Sequence, residues 1–191
     1  MEILPNHSNT GEKMARKSAF SPQDIVQAGF RLVDKMGHEH LTARNVAEEL
    51  GSSTAPVYSN FSNMEDLERA LYEEAVKRLL EKTKSGASGN PFLNIGLGFL
   101  DFAWEHPRWY EALFLTKKSQ EEPCHNIMED LLLAMSSFDG LKELEDCERI
   151  IVLKKMSVFT HGVATAICVR GGDEHTREEW KILLAEVGET V

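Results

Sequence analysis

The sequence is poor in cysteine, and its few cysteines are widely spaced. Three occur among 191 residues, at positions 124, 147 and 168, and none forms a Cys-x-x-Cys pair. An odd, scattered set builds no disulfide framework and indicates a reducing compartment. His38 and His40 lie two residues apart, and His125 follows Cys124 without a second pair. Neither spacing is typical of a metal site, so no metal is predicted.

Targeting segments and catalytic motifs are also lacking. The N-terminal sequence MEILPNHSNTGEK has no basic stretch followed by an apolar run, so no signal peptide is predicted. The longest apolar run, 156–169, is interrupted by His161 and is too short to span a bilayer. No Gly-rich phosphate loop occurs, and no nucleophile has a base beside it in the sequence. We expect a cytoplasmic protein without a cofactor, and the pattern does not indicate an enzyme.

Positive charge is scarce, and it is unevenly distributed. The formal net charge is -10, with 21 Lys and Arg against 31 Asp and Glu. Residues 1–84 carry 11 basic and 13 acidic side chains, whereas residues 85–191 carry 10 and 18. Averaged over the whole chain, this negative charge argues against binding to nucleic acids. Because the acid lies mainly in the C-terminal part, the N-terminal part is not excluded from this role.

Apolar residues recur at helical spacing, and no alternation is long enough for a strand, so an all-α protein is predicted. The first helix begins with Ser21 as cap, Pro22 at the first helical position and Asp24 in the first turn. A second helix begins at Thr42 and ends before Gly51, which suits a left-handed C-terminal cap.

A third helix is predicted with Ser53 as its cap. Pro56 is tolerated only in the first turn, so this helix is expected to be short. Ser62 and Glu65 form a capping box for a fourth helix that runs to about residue 84. After the loop SGASGN at 85–90, further helices are predicted near 91–105, 107–117, 121–137, 143–170 and 175–187.

The stretch SSTAP at 52–56 has more small polar residues than one helix cap needs. Three short helices, with a Gly-containing turn between the second and third, fit a helix-turn-helix motif. The last helix of that motif enters the DNA major groove, where bulky side chains at its start would hold the backbone away. Val57 and Phe61 would anchor this helix to the core. The alternative is a plain capped helix in a bundle.

The segment LTARNVAEELGSSTAPVYSNFSNMEDLERAL, beginning at Leu41, resembles the TetR family of bacterial transcriptional regulators. The matching positions cover roughly residues 20–71 and are Thr42, Val46, Ala47, Gly51, Tyr58, Phe61, Asp66 and Leu67. Weaker similarity lies in EHPRWYEALF at 105–114 and FTHGVATAI at 159–167.

The resemblance implies a homodimer in which each N-terminal unit contacts one half of a palindromic operator. It also implies a small-molecule effector that binds the C-terminal part and releases the DNA. The domains are then a flexible basic arm at 1–19, a helix-turn-helix DNA-binding domain at 20–64, a connecting helix at 65–84, and a ligand-binding and dimerisation domain at 85–191.

The family resemblance and the basic arm together define a set of candidate DNA-contacting residues. Arg44 suits a guanine contact, and its alternative is a surface ion pair with Glu48. Met64 stands where the family often has a phosphate-binding Lys, which puts one contact in doubt. The full set is Lys13, Arg16, Lys17, Thr42, Arg44, Ser53, Thr54, Ala55, Pro56, Tyr58 and Asn60. For the arm residues, the alternative is a solvated tail.

Aromatic residues, Met and His in the C-terminal part are candidates for an effector pocket, although ordinary core packing explains most of them better. They are Phe99, Phe102, Trp104, Trp109, Tyr110, Phe114, His125, Met128, Leu132, Met156 and His161. Candidates for a dimer interface are Phe159, Gly162, Val163, Ala166, Trp180, Leu183 and Leu184. Gly162 and Ala166 suit a close approach of two helices, and packing within one subunit is the alternative.

Two classes of function therefore remain open. The first is a DNA-binding regulator controlled by a ligand, which the sequence does not separate from a regulator without a natural ligand. The second is an all-helical ligand-binding or enzyme-like module with no role on DNA. Sequence-selective DNA binding that weakens with salt favours the first class.

Overall fold

The computed structural model describes residues 20–85, 88, 90–116, 144–171 and 174–190. Within these residues the chain forms helices and no strands, as predicted. The basic arm with Lys13, Arg16 and Lys17 lies outside the described residues, as does the helix predicted at 121–137 with His125, Met128 and Leu132. The helices are α1 (Pro22–Met36), α2 (Ala43–Glu49), α3 (Ala55–Asn60), α4 (Met64–Lys84), α5 (Pro91–Glu105), α6 (Pro107–Phe114), α7 (Asp146–Arg170) and α8 (Glu174–Thr190), with a 3-10 turn at His38–His40.

Two helix starts and one turn follow the sequence prediction closely. Ser21 Oγ accepts a hydrogen bond from the Asp24 N–H at 3.2 Å, and Asp24 Oδ2 accepts one from the Ser21 N–H at 2.8 Å. Thr42 Oγ1 accepts a hydrogen bond from the Asn45 N–H at 3.2 Å. Gly51 has a φ of +69°, the left-handed conformation expected at this turn.

The caps predicted for the next two helices are wrong by one residue each. Helix α3 is preceded by Thr54, which makes no side-chain capping bond, and Ser53 stands outside the helix. Helix α4 is capped by Asn63, whose Oδ1 accepts from the Asp66 N–H at 2.8 Å, and not by Ser62. Adjacent Ser, Thr and Asn residues have similar capping ability, so the packing of Val57 and Leu67 sets the register.

A continuous apolar core joins the N-terminal helices to the rest of the chain. We call residues 20–62, which include α1 to α3, the N-terminal unit. Its buried side chains include Ile25, Val46 and Val57, and they pack towards Leu67 and Leu71 of α4. Met36, the last residue of α1, is exposed.

Helices α4 and α5 meet with their backbones in contact. A Cβ atom added at Gly98 would lie 2.5 Å from the backbone nitrogen of Thr83, so only glycine fits this crossing. Helix α5 also packs against α7 and α8, where Gly96 faces Leu184. The connecting helix is thereby held to the C-terminal helices at one end and to the N-terminal unit at the other.

Helix α6 joins the N-terminal unit directly to the C-terminal helices. The Trp109 indole N–H donates to the Phe30 carbonyl oxygen at 3.1 Å, and the two rings stack with centroids 4.9 Å apart. Close to them, His106 Nδ1 lies 2.9 Å from Asp34 Oδ2. Sequence reasoning missed this junction, because its partners are more than 70 residues apart and no local pattern pairs them.

Helix α7 is apolar on two opposite faces. Leu153, Met156, Val163 and Ile167 point inward and are buried. By length and composition alone, the stretch Cys147–Arg170 is apolar enough to cross a membrane, and 33% of its most apolar window is buried in the chain. The core helix of a soluble protein has the same properties, so this finding is weak support for a membrane span.

Candidate nucleic-acid interface

The start of α2 is held in place by two hydrogen bonds. Besides the Thr42 cap, Asn45 Nδ2 donates to the His40 carbonyl oxygen at 2.7 Å. Ala43 and Val46 are buried on the inner side of this helix, and Arg44 is exposed on its first turn. The arrangement presents the Arg44 guanidinium to solvent from a rigid backbone.

The turn between α2 and α3 is tight. The Gly51 N–H donates to the Glu48 carbonyl at 3.0 Å, and the Ser52 N–H donates to the Ala47 carbonyl at 2.9 Å. These bonds complete the end of α2, since the last carbonyls of a helix have no partner within it. The chain then enters α3 through the small residues predicted to face DNA.

The start of α3 lies at the surface, and its inner side is anchored by one residue. Val57 is buried at 1% exposure, whereas Ser53 and Ala55 are exposed. Thr54 and Pro56 are half-buried, so neither is packed into the core. A blunt, small-residue tip of this kind is able to approach another surface closely.

Arg44 and Tyr58 are the two largest exposed candidates on this surface. Tyr58 is 58% exposed, an unusual position for a large aromatic side chain with core available nearby. Within the described residues, no ion pair joins Arg44 to Glu48 or to any other carboxylate, so the alternative role for Arg44 has no support in this geometry.

The Asn60 side chain makes two hydrogen bonds within the single chain. Its Nδ2 donates to the Pro56 carbonyl at 2.8 Å and to the Phe20 carbonyl at 3.4 Å. The bonds tie the end of α3 to the entry of α1. A phosphate contact from Asn60 stays a prediction, and it would have to replace or share these bonds.

The other basic residues of the N-terminal unit are paired. Arg31 Nε lies 3.0 Å from Glu49 Oε1, and Lys35 Nζ lies 2.8 Å from Glu49 Oε2. The hydrogen bond from Lys35, together with Arg31, lowers the pKa of Glu49 against the opposing effect of burial. Arg44 is therefore a guanidinium of this unit that is left for an external partner.

The candidate effector residues fall into three groups. Phe99, Phe102, Trp109, Tyr110 and Met156 are buried, and Trp104, Phe114 and His161 are half-buried. His125, Met128 and Leu132 lie outside the described residues. Of the buried group, Trp109 faces α1, whereas Tyr110 faces α7 through a 2.5 Å hydrogen bond between its hydroxyl and His161 Nδ1.

The candidate dimer residues need two corrections. Val163 and Leu184 are packed inside one subunit, at 5% and 0% exposure, so neither is available to a partner in this conformation. Leu184 fills the space opposite Gly96. Gly162 and Leu183 are exposed, and Phe159, Ala166 and Trp180 are half-buried.

Exposed apolar residues that sequence reasoning missed complete this surface. Ile151, Val158 and Val169 share the outer face of α7 with Gly162, at the seven- and four-residue spacings of one helix stripe. A groove of about 370 Å³ on α8 is lined by Thr176, Glu179, Trp180, Ile182, Leu183 and Glu186. We call the outer stripe of α7 the outer apolar face.

No protein-family model matches the sequence. A curated relative, an uncharacterised HTH-type transcriptional regulator of Mycobacterium tuberculosis, is 23% identical over 123 residues, which are 62% of this chain and 56% of the relative. The match therefore spans little more than half of that relative's length.

Solved structures show the class of fold. A transcriptional regulator from Rhodococcus sp. Rha1 matches with a TM-score of 0.69 at 16% identity, over 90% of this chain and 97% of the other. A TetR from Streptomyces coelicolor matches with a TM-score of 0.61 at 19% identity, over 90% and 97%. NalD of Pseudomonas aeruginosa, the secondary repressor of the MexAB-OprM multidrug efflux pump, matches with a TM-score of 0.60 at 14% identity, over 88% and 94%.

The chain thus has the all-helical fold of the TetR-family transcriptional regulators, with the helix-turn-helix at its N-terminal end. The resemblance drawn from Thr42, Gly51 and Tyr58 is confirmed at the level of the fold.

Proposed function

We propose that this protein is a DNA-binding transcriptional regulator of the TetR type. One observation carries the proposal: α3 is anchored by the buried Val57 while its small-residue start, Tyr58 and Arg44 are presented to solvent. A helix that served only the core would have little reason to expose a tyrosine. Arg44 of the preceding helix is exposed as well and has no ion pair within the described residues. DNA offers phosphates to the tyrosine hydroxyl and guanine edges to the guanidinium.

The proposed active form is a homodimer joined through the outer apolar face. Ile151, Val158 and Val169 are exposed on one side of α7 in the single chain, with the exposed Lys154 and Lys155 between the first two, and a partner helix would remove these apolar side chains from water. A Cβ atom added at Gly162 would meet nothing within 4 Å, so the space beside it is open to a neighbouring helix. Two copies related by a two-fold axis would cover this face and present two helix-turn-helix units about 34–36 Å apart.

The proposed regulation is release from the operator by a small molecule bound among α5, α6 and α7. Support comes from α6, where consecutive residues contact different partners: Trp109 bonds to α1 and Tyr110 bonds to α7. A ligand that moves Tyr110 would move Trp109 with it, because both sit on one short helix. The proposed mode of action is repression in the cytoplasm. The protein blocks transcription while it is bound to its operator.

The test begins with the full-length protein and a random double-stranded DNA library. Repeated selection should enrich a palindromic site, and binding to that site should weaken steeply as salt increases. Arg44→Ala is expected to cost about 1–3 kcal/mol for each half-site contact and to relax specificity at one base pair. Tyr58→Phe should weaken binding to all DNA sequences about equally, since a phosphate contact carries no sequence information.

The matched control is Arg170→Ala, which removes the same charge from the exposed end of α7. Enrichment of no sequence, or equal affinity for wild type, Arg44→Ala and Arg170→Ala, would reject the proposal. The second class of function, a helical module without a role on DNA, predicts that outcome.

A further inference from the structure

We propose that the effector is a neutral, largely apolar molecule with one hydrogen-bond acceptor, such as a ketone, ester or amide oxygen, and that Nε2–H of His161 donates to it. The inference rests on the proposed function and names the chemical class of its ligand. Its site lies where α5, α6 and α7 meet.

Four aromatic side chains form this site. They are Phe99 of α5, Tyr110 and Phe114 of α6, and His161 of α7, and the ring centroids of the five contacting pairs lie between 4.8 and 6.0 Å apart. The Phe114 ring meets the His161 ring edge-on at 5.1 Å. Phe114 is the last residue of α6 and is half-buried, so displacing its ring would open the cluster without breaking a helix.

The hydrogen bond within the cluster decides which imidazole nitrogen carries the proton. The Tyr110 side chain is fully buried, and within the described residues its hydroxyl has one hydrogen-bond partner, His161 Nδ1 at 2.5 Å. A buried hydroxyl hydrogen without an acceptor would cost about 1–3 kcal/mol. The hydroxyl therefore donates to Nδ1, and a neutral imidazole then carries its own hydrogen on Nε2.

The Nε2–H donor is not used within the part of the chain that the structure describes, where the Tyr110 hydroxyl is the side chain hydrogen-bonded to the imidazole. A donor in an aromatic cluster selects a ligand that offers an acceptor at that point. A ligand without an acceptor would leave this N–H unsatisfied once water is excluded.

Charged ligands are disfavoured by the same surroundings. Burial lowers the pKa of His161, so the imidazole is neutral at pH 7 and does not balance an anion. The rings in contact with His161 belong to Phe99, Tyr110 and Phe114. The carboxylate whose charge reaches nearby Cys168 is that of Glu111, which is exposed to solvent and not inside the cluster. Burial, together with the negative charge of Glu111, also raises the pKa of the Cys168 thiol to about 11, so the thiol stays uncharged. An unbalanced charge in such a site costs several kcal/mol.

The proton position is tested on the free full-length protein. Nitrogen-15 spectra of the His161 side chain at pH 7.5 should show a protonated Nε2 and an unprotonated Nδ1. Tyr110→Phe should shift the populations of the two tautomers towards a mixture, because Nδ1 loses its donor. A protonated Nδ1 in the wild type would overturn the proposal.

Ligand class is tested with two naphthalene probes that differ at one group. The first, 6-propionyl-2-dimethylaminonaphthalene, has a ketone whose fluorescence responds to hydrogen bonding. The second has a propyl chain in place of the propionyl group. The ketone should bind about 2–13 times more tightly, the ratio for one hydrogen bond of about 0.5–1.5 kcal/mol.

The donor is removed with the double variant Tyr110→Phe, His161→Phe, because His161→Phe alone would leave the Tyr110 hydroxyl without an acceptor. In the double variant the two probes should bind equally, and the emission of the bound ketone should move to shorter wavelength. Failure of the ketone to bind the wild type, or a preference for the ketone that survives in the double variant, would overturn the proposal.

A mobility-shift assay with the selected operator separates this inference from the function on which it rests. Ketone binding with the expected His161 dependence but without any DNA binding by the protein would support the ligand class and reject the regulator. DNA binding without ketone binding would support the regulator and reject the ligand class.

Discussion

Gly51 sits at the one position of the helix-turn-helix turn where the backbone enters the left-handed region, with a φ of +69°. An added Cβ atom would meet nothing within 4 Å, so a substitution there adds backbone strain and no clash. Gly51→Ala should therefore reduce the free energy of unfolding by about 1–2 kcal/mol. Urea unfolding followed by circular dichroism measures this loss.

Gly51→Asn is the matched control, because asparagine tolerates the left-handed conformation better than alanine. It should lie between the wild type and Gly51→Ala in stability. Equal stability of all three proteins would mean that the turn relaxes to another conformation.

Single residues also mark where sequence reasoning succeeds and where it stops. Ser21 and Thr42 are the best caps at their helix starts, so local chemistry alone decides them. At 52–54 and 62–63, several adjacent small polar residues are able to cap a helix. The burial of Val57 and Leu67 decides at which of them the helix begins. The donor at His161 Nε2 follows from a contact between residues 51 apart, which no local pattern reveals.

At the scale of elements, α6 docks directly on α1 and joins the N-terminal unit to the C-terminal helices. Trp109→Phe removes the indole donor to the Phe30 carbonyl and leaves most of the ring stacking in place. We expect a loss of about 0.5–1.5 kcal/mol for the hydrogen bond, with a further loss for the smaller ring. The urea midpoint of the full-length protein measures it.

Trp104→Phe is the control for this change, since Trp104 is half-buried on α5 and lies outside the α1–α6 junction. It should be tolerated better than Trp109→Phe. A larger loss at Trp104 than at Trp109 would contradict the importance given to the junction.

Helices α1 and α4 are joined by a polar cluster that should make stability depend on pH. Glu74 Oε1 accepts from Gln27 Nε2 and from Arg78 Nε, each at 2.9 Å, and the Arg78 guanidinium lies 3.8 Å from the Phe30 ring centroid. Burial is the largest single influence on the pKa of Glu74 and raises it. The hydrogen bonds from Gln27 and Arg78 and the charges of Arg78 and Lys77 together outweigh burial, and the pKa is lowered.

A lowered pKa in the folded state fixes the sign of the effect. The stabilisation by ionised Glu74 is fully present above the unfolded-state pKa of about 4.3 and is lost as the pH falls through the folded value. Glu74→Gln should therefore flatten the fall in unfolding free energy below about pH 4.5. Glu73→Gln, at the exposed neighbouring position, should leave the slope as it is in the wild type. A wild-type slope in Glu74→Gln would contradict this assignment.

At the scale of the whole molecule, the all-helical architecture was readable from caps and periodicity, but the outer apolar face was not. Helix α7 has apolar residues on two opposite faces, so periodicity does not say which of the two faces the subunit core. Only the packed chain separates Val163, which is buried, from Val158, which is 75% exposed. Val163, a predicted dimer residue, falls on the inner side of α7 for this reason.

The exposed stripe on α7 leads to a prediction about assembly. Val158→Glu places a charge in the middle of the outer apolar face, where a partner helix would have to bury it in both copies of a two-fold dimer. An unpaired charge in such an interface costs several kcal/mol, so the variant should sediment as a monomer at concentrations where the wild type is a dimer.

Operator binding reports the same change independently. A monomer contacts one half-site, so Val158→Glu should shift DNA titrations to much higher protein concentration while circular dichroism keeps its helical signal. The control is Leu115→Glu, which introduces the same charge at an exposed apolar residue just beyond α6 and should remain dimeric. A Val158→Glu protein that keeps its dimer mass and its operator affinity would place the subunit contact elsewhere on the molecule, and the outer apolar face would then need a different partner.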